Sequence, residues 1–260
     1  MKELDIDGCI LKMQEIVDWS VENNSHLGYF AILYQTVTIK VNQEIISKRF
    51  KNNDEIELMV TNFANRYLTA INEHFESKKS VTKTWDSSFN LQNPKSYSIL
   101  QHLMLGMNAH IIFDLAISSA AIAPDEKIFE FKEDFFIINE ILISMIDEIQ
   151  DMISKVFWMM KPLDYLLGNL DEKIAAGIIV FARNKAWDLA RLLALSNDKF
   201  KPILIEEMDN EAHFITEKIL SPKGVFKIVL GMSNLFESNN ITNNLKQMKF
   251  YQEKVILQHG

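Results

Sequence analysis

Glycine and proline are scarce in this chain of 260 residues, which has only eight glycines and five prolines. Because both residues mark turns, their scarcity predicts long helices with few connections. No run of alternating apolar and polar residues is long enough to indicate a strand. The sequence therefore predicts an all-α fold.

Cysteine is almost absent, since Cys9 is the only one. An intrachain disulfide and a cysteine-based zinc site are therefore excluded. The first ten residues, MKELDIDGCI, carry acidic residues where a secretory signal would have basic residues and then an apolar stretch. We therefore expect a cytoplasmic protein with a reduced cysteine.

Basic charge is also in short supply, with 27 Lys and Arg against 35 Asp and Glu and a net charge of −8. Binding to a phosphate backbone needs a basic face, so the balance disfavours a nucleic-acid-binding protein. The chain has no glycine-rich phosphate loop, no GxSxG and no HExxH. Hydrophobic residues make up 48% of the chain, which is enough for one all-α domain over residues 1–260.

Helical periodicity covers nearly the whole chain. The stretch 80–95, SVTKTWDSSFNLQNPK, is predicted to be a long loop, and long loops often carry functional residues. The predicted helices are Asp7–Val21, Ser25 to Phe50, Asn53 to Lys79, Tyr97–Ile122, Asp134–Met160, residues 170–195, Ile203–Leu220, Val225–Phe236 and Asn243–Leu257.

The predicted helix Tyr97–Ile122 is the most apolar, yet it contains His102, Asn108, His110 and Asp114. Such polar groups are costly in hydrocarbon, so we expect the buried central helix of a bundle rather than a membrane span. An ideal helix turns about 100° and rises about 1.5 Å per residue. His110 and Asp114, four residues apart, therefore face the same side and can touch.

These four polar residues, called the polar seam below, have two functional interpretations and one structural interpretation. His110 and Asp114 could bind a divalent metal together, or Asp114 could orient His110 as a general base. His102 lies on the same side but about 12 Å from His110 along the axis, too far to share a metal. The structural alternative is that a buried Asp accepts from His or Arg and a buried Asn bridges helix backbones, because buried polar groups must be paired. We expect the structural role for Asn108, which lies on a different face of the helix.

Two arginines could complete the seam. Arg66 and Arg183 both lie on apolar helix faces, and either could pair with Asp114 or with an anionic substrate group. Arg183 is four residues before Trp187 and could stack on it. The structural alternative is an arginine whose aliphatic part packs while its head reaches water.

Asp147 and Asp151, in the segment DEIQD, have the spacing of an aspartate-rich motif that binds magnesium diphosphate. This pair suggests an isoprenoid cyclase or another diphosphate-handling enzyme. The second metal motif of such enzymes does not follow, because Lys201 and Ile205 stand where a hydroxyl and a glutamate are needed. A solvated acidic pair is the alternative.

Several segments in this order resemble an uncharacterised, mainly bacterial helical family: LGYFAILYQTVT, FANRYL, TWDSSF, LQHLMLGMNAHIIFDLAI, DFFIINEIL and ARNKAWDLA. The resemblance runs from Leu27 to Leu193, and its most specific part is Asn-Ala-His-Ile-x-x-Asp-Leu. The resemblance implies where a functional site would lie, but it implies no reaction. The positions it marks are Arg66, Trp85, His102, Asn108, His110, Asp114, Asn139, Arg183 and Trp187.

These observations predict an enzyme with a largely apolar pocket beside the central helix. His110 and Asp114 would be its acid–base pair or its metal ligands, assisted by His102 and by Arg66 or Arg183. A small, mostly apolar molecule would contact Trp85, Asn139 and Trp187. The reaction would be metal-assisted hydrolysis or acid–base isomerisation. The alternative from another class is a non-catalytic protein that binds a hydrophobic ligand.

Overall fold

The computed structural model describes residues 2–76, 82–156, 170–224 and 240–258, with residues 227, 230, 231, 237 and 238. All regular structure among them is helical, which confirms the all-α fold. The helices are α1 (Ile6–Glu22), α2 (Leu27–Ile46), α3 (Asn53–Glu76), α4 (Lys83–Phe89), α5 (Ile99–Met107), α6 (Leu115–Ile122), α7 (Lys127–Glu130), α8 (Lys132–Ser144), α9 (Ile146–Ser154), α10 (Leu170–Leu195), α11 (Lys201–Leu220) and α12 (Ile241–Gln258).

The first helices begin where local signals predict. The Asp5 side chain caps α1 by accepting from the Gly8 amide at 2.7 Å. Helix α3 starts at Asn53, with acidic residues in its first turn that suit the helix dipole. Helix α2 ends at Ile46, before the predicted end at Phe50, and Lys48 two residues later has a left-handed φ of 59°.

The prediction of a loop over residues 80–95 is wrong for most of the residues in this stretch that the structure describes. Helix α4 lies inside it, followed by a short 3-10 turn over Pro94–Ser96. Asp209 of α11 caps α4 by accepting from the amides of Lys83 and Thr84 at 2.8 and 3.1 Å. This cap comes from a residue 126 positions away, so local sequence signals could not reveal it.

The predicted helix Asp134–Met160 is also corrected. A turn at Met145 divides it into α8 and α9, and the buried Met145 fills the core at the break. The Met145 amide donates to the carbonyl of Leu142, three residues back, which tightens the end of α8. The last part of that predicted helix and most of the predicted Val225–Phe236 helix lie outside the described residues.

The central helix runs without interruption from Ile99 to Ile122. Ser98 and Gln101 form a capping box at its start. Between α5 and α6, residues Asn108–Asp114 form a π-helical segment, where each turn holds one extra residue. The Leu115 amide accordingly donates to the carbonyl of His110, five residues before it.

Other helices surround this central helix. Helix α5 packs against α2, the π segment packs against α10 and α11, and α6 packs against α10 and α3. Among the described residues it is the one helix long and apolar enough to cross a membrane, with a mean hydropathy of 1.4. However, 67% of its most apolar window is buried inside the protein, as is typical of a core helix.

Candidate functional site

Asp114 lies at the end of the π segment, is only 1% exposed and is bonded at both carboxylate oxygens. Arg66 of α3 donates from Nε to Oδ1 at 2.7 Å, and Trp85 of α4 donates from Nε1 to Oδ2 at 2.9 Å. Hydrogen bonds to a charged acceptor are stronger than neutral ones. Three elements that are far apart in sequence are therefore held together at one buried carboxylate.

His110 stands four residues before Asp114, and its Nδ1 is 3.4 Å from Asp114 Oδ2. An ionised carboxylate can only accept, so a neutral His110 bonded to it carries its proton on Nδ1. Its Nε2 then presents a lone pair. That atom is buried and has no hydrogen-bond partner anywhere in the described part of the chain.

Aromatic rings enclose His110. Phe63 stacks on the imidazole with ring centroids 3.6 Å apart and planes within 8°, and Tyr34 meets it edge-on at 4.1 Å. Burial lowers the pKa of His110, and the nearby charge of Arg66 acts in the same direction. The bond to Asp114 and the charge of Asp114 oppose this change. The net result is a neutral imidazole held next to a carboxylate.

The surroundings of Asp114 favour the acid–base interpretation over the metal interpretation. Both of its oxygens already accept hydrogen bonds, and one faces the guanidinium of Arg66. A second cation at this carboxylate would be repelled by the first. Across the described ranges, no three His, Cys, Asp or Glu side chains are placed to hold a metal ion together.

His102 lies apart from this pair. Its Nε2 is 3.0 Å from the carbonyl oxygen of Pro94, and its ring centroid is 4.6 Å from that of His26. Burial lowers the pKa of His102 to about 3 and that of His26 to about 4. Both imidazoles are therefore neutral near pH 7. In the described part of the chain, the imidazole of His102 is hydrogen-bonded to the backbone.

A cavity of about 20 Å³ lies beside these two histidines, enough for one water molecule. It is much smaller than the several hundred Å³ of a site that encloses an organic ligand. Its lining residues are His26, Leu27, Phe30, Tyr67, Trp85, Ser88, Phe89, His102 and Gly106.

Arg183, Asn139 and Trp187 form a second cluster between α8 and α10. The buried Arg183 donates to Asn139 Oδ1 and to the carbonyl of Phe135, so Arg66 and not Arg183 is the partner of Asp114. Its guanidinium lies 4.4 Å from the ring centroid of Phe135, which replaces Trp187 as the predicted stacking partner. Trp187 itself packs against Phe135 at 5.0 Å. Burial lowers the pKa of Arg183 to about 9.

Asn108 has the structural role that its separate face predicts. Its amide nitrogen donates to the Ala212 carbonyl at 2.8 Å and to Thr216 Oγ1 at 3.0 Å, which ties the central helix to α11. Asp147 and Asp151 lie exposed on α9, where Asp151 pairs with Lys155 at 2.7 Å. This is the arrangement of a solvated acidic face.

Sequence reasoning missed Phe30, Tyr34 and Phe63, which surround His110, and His26, whose ring packs against that of His102. The three aromatic residues occupy ordinary apolar positions of α2 and α3. Nothing in their spacing distinguishes them from core residues, because each contact joins helices distant in sequence.

The comparisons with known proteins identify a family but no activity. The model described as "Family of unknown function (DUF5995)" matches residues 6–222, so the chain belongs to this family. No curated protein and no solved structure matches the chain.

Proposed function

We propose that this DUF5995 protein is an enzyme in which His110 acts as a general base. The observation that carries the proposal is the Nε2 atom of His110, which is buried without a partner in the described chain while Nδ1 is held by Asp114. Buried polar atoms are normally paired, so this unpaired one needs an explanation, and a proton-accepting role supplies one. A neutral imidazole with a free lone pair is the form that accepts a proton.

The residues around the pair support it as positioning groups. Asp114 fixes the tautomer of His110 and would stabilise the imidazolium formed when Nε2 takes up a proton. Arg66 and Trp85 hold Asp114 in place. Phe63, stacked on the imidazole, restricts rotation of the ring. The arrangement resembles the preorganised support that an acid–base residue requires.

The chemistry best suited to this setting is proton transfer on a small, mostly apolar molecule. Nε2 would take a proton from a C–H acid of the substrate and return it to another carbon, which gives an isomer with no change in composition. The aromatic surroundings favour an apolar substrate over a highly charged one. A cytoplasmic location belongs to the same proposal, supported by the single buried Cys9.

Hydrogen exchange tests the proposal for any substrate that carries an acidic C–H group. A base that abstracts C–H protons introduces deuterium from D₂O into its substrate. The purified protein is therefore incubated in D₂O with a small-molecule extract, and deuterium gain is read by mass spectrometry. We expect labelling of at least one compound by the wild type, and loss of that labelling in His110→Asn.

His213→Asn is the matched control, because His213 lies on α11 and contacts Ser87 rather than the Asp114 cluster. The His213→Asn variant should introduce as much deuterium as the wild type does. Identical labelling by wild type and His110→Asn would contradict the role of His110. No labelling by the wild type would also contradict the proposal and would favour a non-catalytic, ligand-binding protein.

A further inference from the structure

The small cavity and the His110 site share one aromatic wall. Phe30, Tyr67 and Trp85 line the cavity, and the same three rings surround His110, with centroids 5.8, 6.1 and 6.1 Å from the imidazole. His110 itself does not line the cavity. The wall therefore separates the buried imidazole from the nearest space beside α5.

Contacts with neighbouring residues fix the positions of two of the three rings, those of Trp85 and Tyr67. Trp85 is tied to Asp114 by its indole nitrogen, and Tyr67 is 1% exposed and packs edge-on against Phe30 and Tyr34. Phe30 has no polar atom to anchor it. It is also the ring that meets bare backbone, because it lies against Gly106 of the central helix.

Gly106 makes room for Phe30. A Cβ added at Gly106 would come within 2.3 Å of Phe30 Cγ and 2.5 Å of Phe30 Cδ2. Only glycine therefore allows the ring to lie where it does. The position of Phe30 is set by one residue of the central helix, four positions before His110.

The lining also indicates what the cavity can hold. The lining residues that carry polar side-chain atoms are His26, Tyr67, Trp85, Ser88 and His102, and both imidazoles are neutral near pH 7. It has no charged residue among its described lining. His26 Nε2 is buried without a hydrogen-bond partner in the described ranges. Such a lining suits an uncharged group that can form hydrogen bonds.

We infer that this cavity is the access chamber of the His110 site, that it takes the uncharged polar end of the substrate, and that Phe30 is the residue controlling passage to His110. Displacement of the Phe30 ring would open a path from the cavity to the imidazole, whose centroid lies 5.8 Å from that of Phe30. Phe30 thereby determines which molecules reach the base. This inference rests on the proposed function, but accessibility of His110 can be measured without any turnover.

Diethyl pyrocarbonate, a small uncharged reagent that modifies neutral imidazoles, is the probe. Modification of each histidine is followed by mass spectrometry of peptides at about pH 7.5, relative to the partly exposed His213 in the same sample. We expect His110 to be protected in the wild type and to react at least about tenfold faster in Phe30→Ala.

Phe131→Ala is the matched control. Phe131 is fully buried in the core cluster that includes α8, and it does not line the chamber. It should destabilise the fold by a comparable amount, since both changes truncate a buried phenylalanine. His110 should nevertheless stay protected in Phe131→Ala.

Protection of His110 in Phe30→Ala, or equal exposure in Phe131→Ala, would overturn the inference. A different result would contradict the proposed function, namely deuterium labelling that is unchanged in His110→Asn. The two failures are therefore distinguishable.

Discussion

Replacing Arg66 by methionine tests the buried cluster most directly. Methionine keeps most of the aliphatic volume but removes the cation from the 2.7 Å contact with Asp114. Asp114 would then be a buried carboxylate with a side-chain exposure of 2%, bonded only to Trp85 and His110. Removing one partner of a buried ion pair typically costs about 3–5 kcal/mol.

The lower end of that range applies here, because the Arg66 side chain is 30% exposed and leaves a site that water can reach. We therefore expect Arg66→Met to lower the free energy of unfolding by about 3 kcal/mol at pH 8. In a chain of this size that corresponds to a fall in Tm of roughly 6–12 °C. Arg49→Met is the control, since its ion pairs with Glu44 and Glu140 are exposed and contribute about 1 kcal/mol or less.

The loss in free energy of unfolding caused by Arg66→Met should become smaller as the pH falls. The charge of Arg66 lowers the pKa of His110, whereas Asp114 raises it, so the variant shifts the balance towards an imidazolium that pairs with Asp114. A histidine whose pKa is lower in the folded than in the unfolded state loses stability as the pH falls below the unfolded pKa. Removing the Arg66 charge makes this lowering of the His110 pKa smaller, so the variant loses less stability than the wild type as the pH falls.

Urea unfolding at pH 5.5 and 8 measures the effect. The difference between wild type and Arg66→Met should be smaller at pH 5.5 than at pH 8, because the pKa of His110 is lowered less in the variant. A difference that is the same at both pH values would refute the coupling of Arg66, Asp114 and His110.

Three further outcomes follow from the same contacts. As the pH falls from about 6.5 to 4, the unfolded chain protonates a histidine that the fold keeps neutral, because the pKa of His102 is about 3. His102 alone should contribute a loss of about 3 kcal/mol over this window, and His102→Gln should make the fall of the free energy of unfolding with decreasing pH less steep. Gly106→Ala should cost about 1–3 kcal/mol through its collision with Phe30, part of which Phe30→Ala restores in the double variant. Asp209→Ala should cost about 1–2 kcal/mol by removing the cap of α4, with faster amide hydrogen exchange at Lys83 and Thr84.

The sequence predicts those parts of the fold that depend on neighbours along the chain. Periodicity and capping locate α1, the start of α3 and the central helix, and the four-residue spacing predicts the contact between His110 and Asp114. These features arise within one or two helical turns. An amino-acid pattern records them directly.

Features that depend on distant residues escape such reasoning. Helix α4 is capped by Asp209 from another helix, so its own sequence resembles a loop. Arg66 and Arg183 have the same local character, and only the packing of α3 beside the central helix makes Arg66 the partner of Asp114. The π segment adds a residue to a turn that every local pattern predicts to be α-helical.

The composition of the cluster argues that it is more than a device for holding helices together. Well-packed apolar residues often replace a buried ion pair with no loss of stability, so such a pair is weak evidence for a stabilising role. Here Arg66, Trp85 and Asp114 satisfy one another, and Asp114 also holds Nδ1 of His110. Nε2 of His110 is left without a partner in the described chain. A purely structural cluster would gain from pairing that atom or from an apolar residue in its place. Under the proposed function, this unpaired nitrogen, in a π-helical segment of a kind often found at functional sites, is the atom that accepts the proton of the substrate.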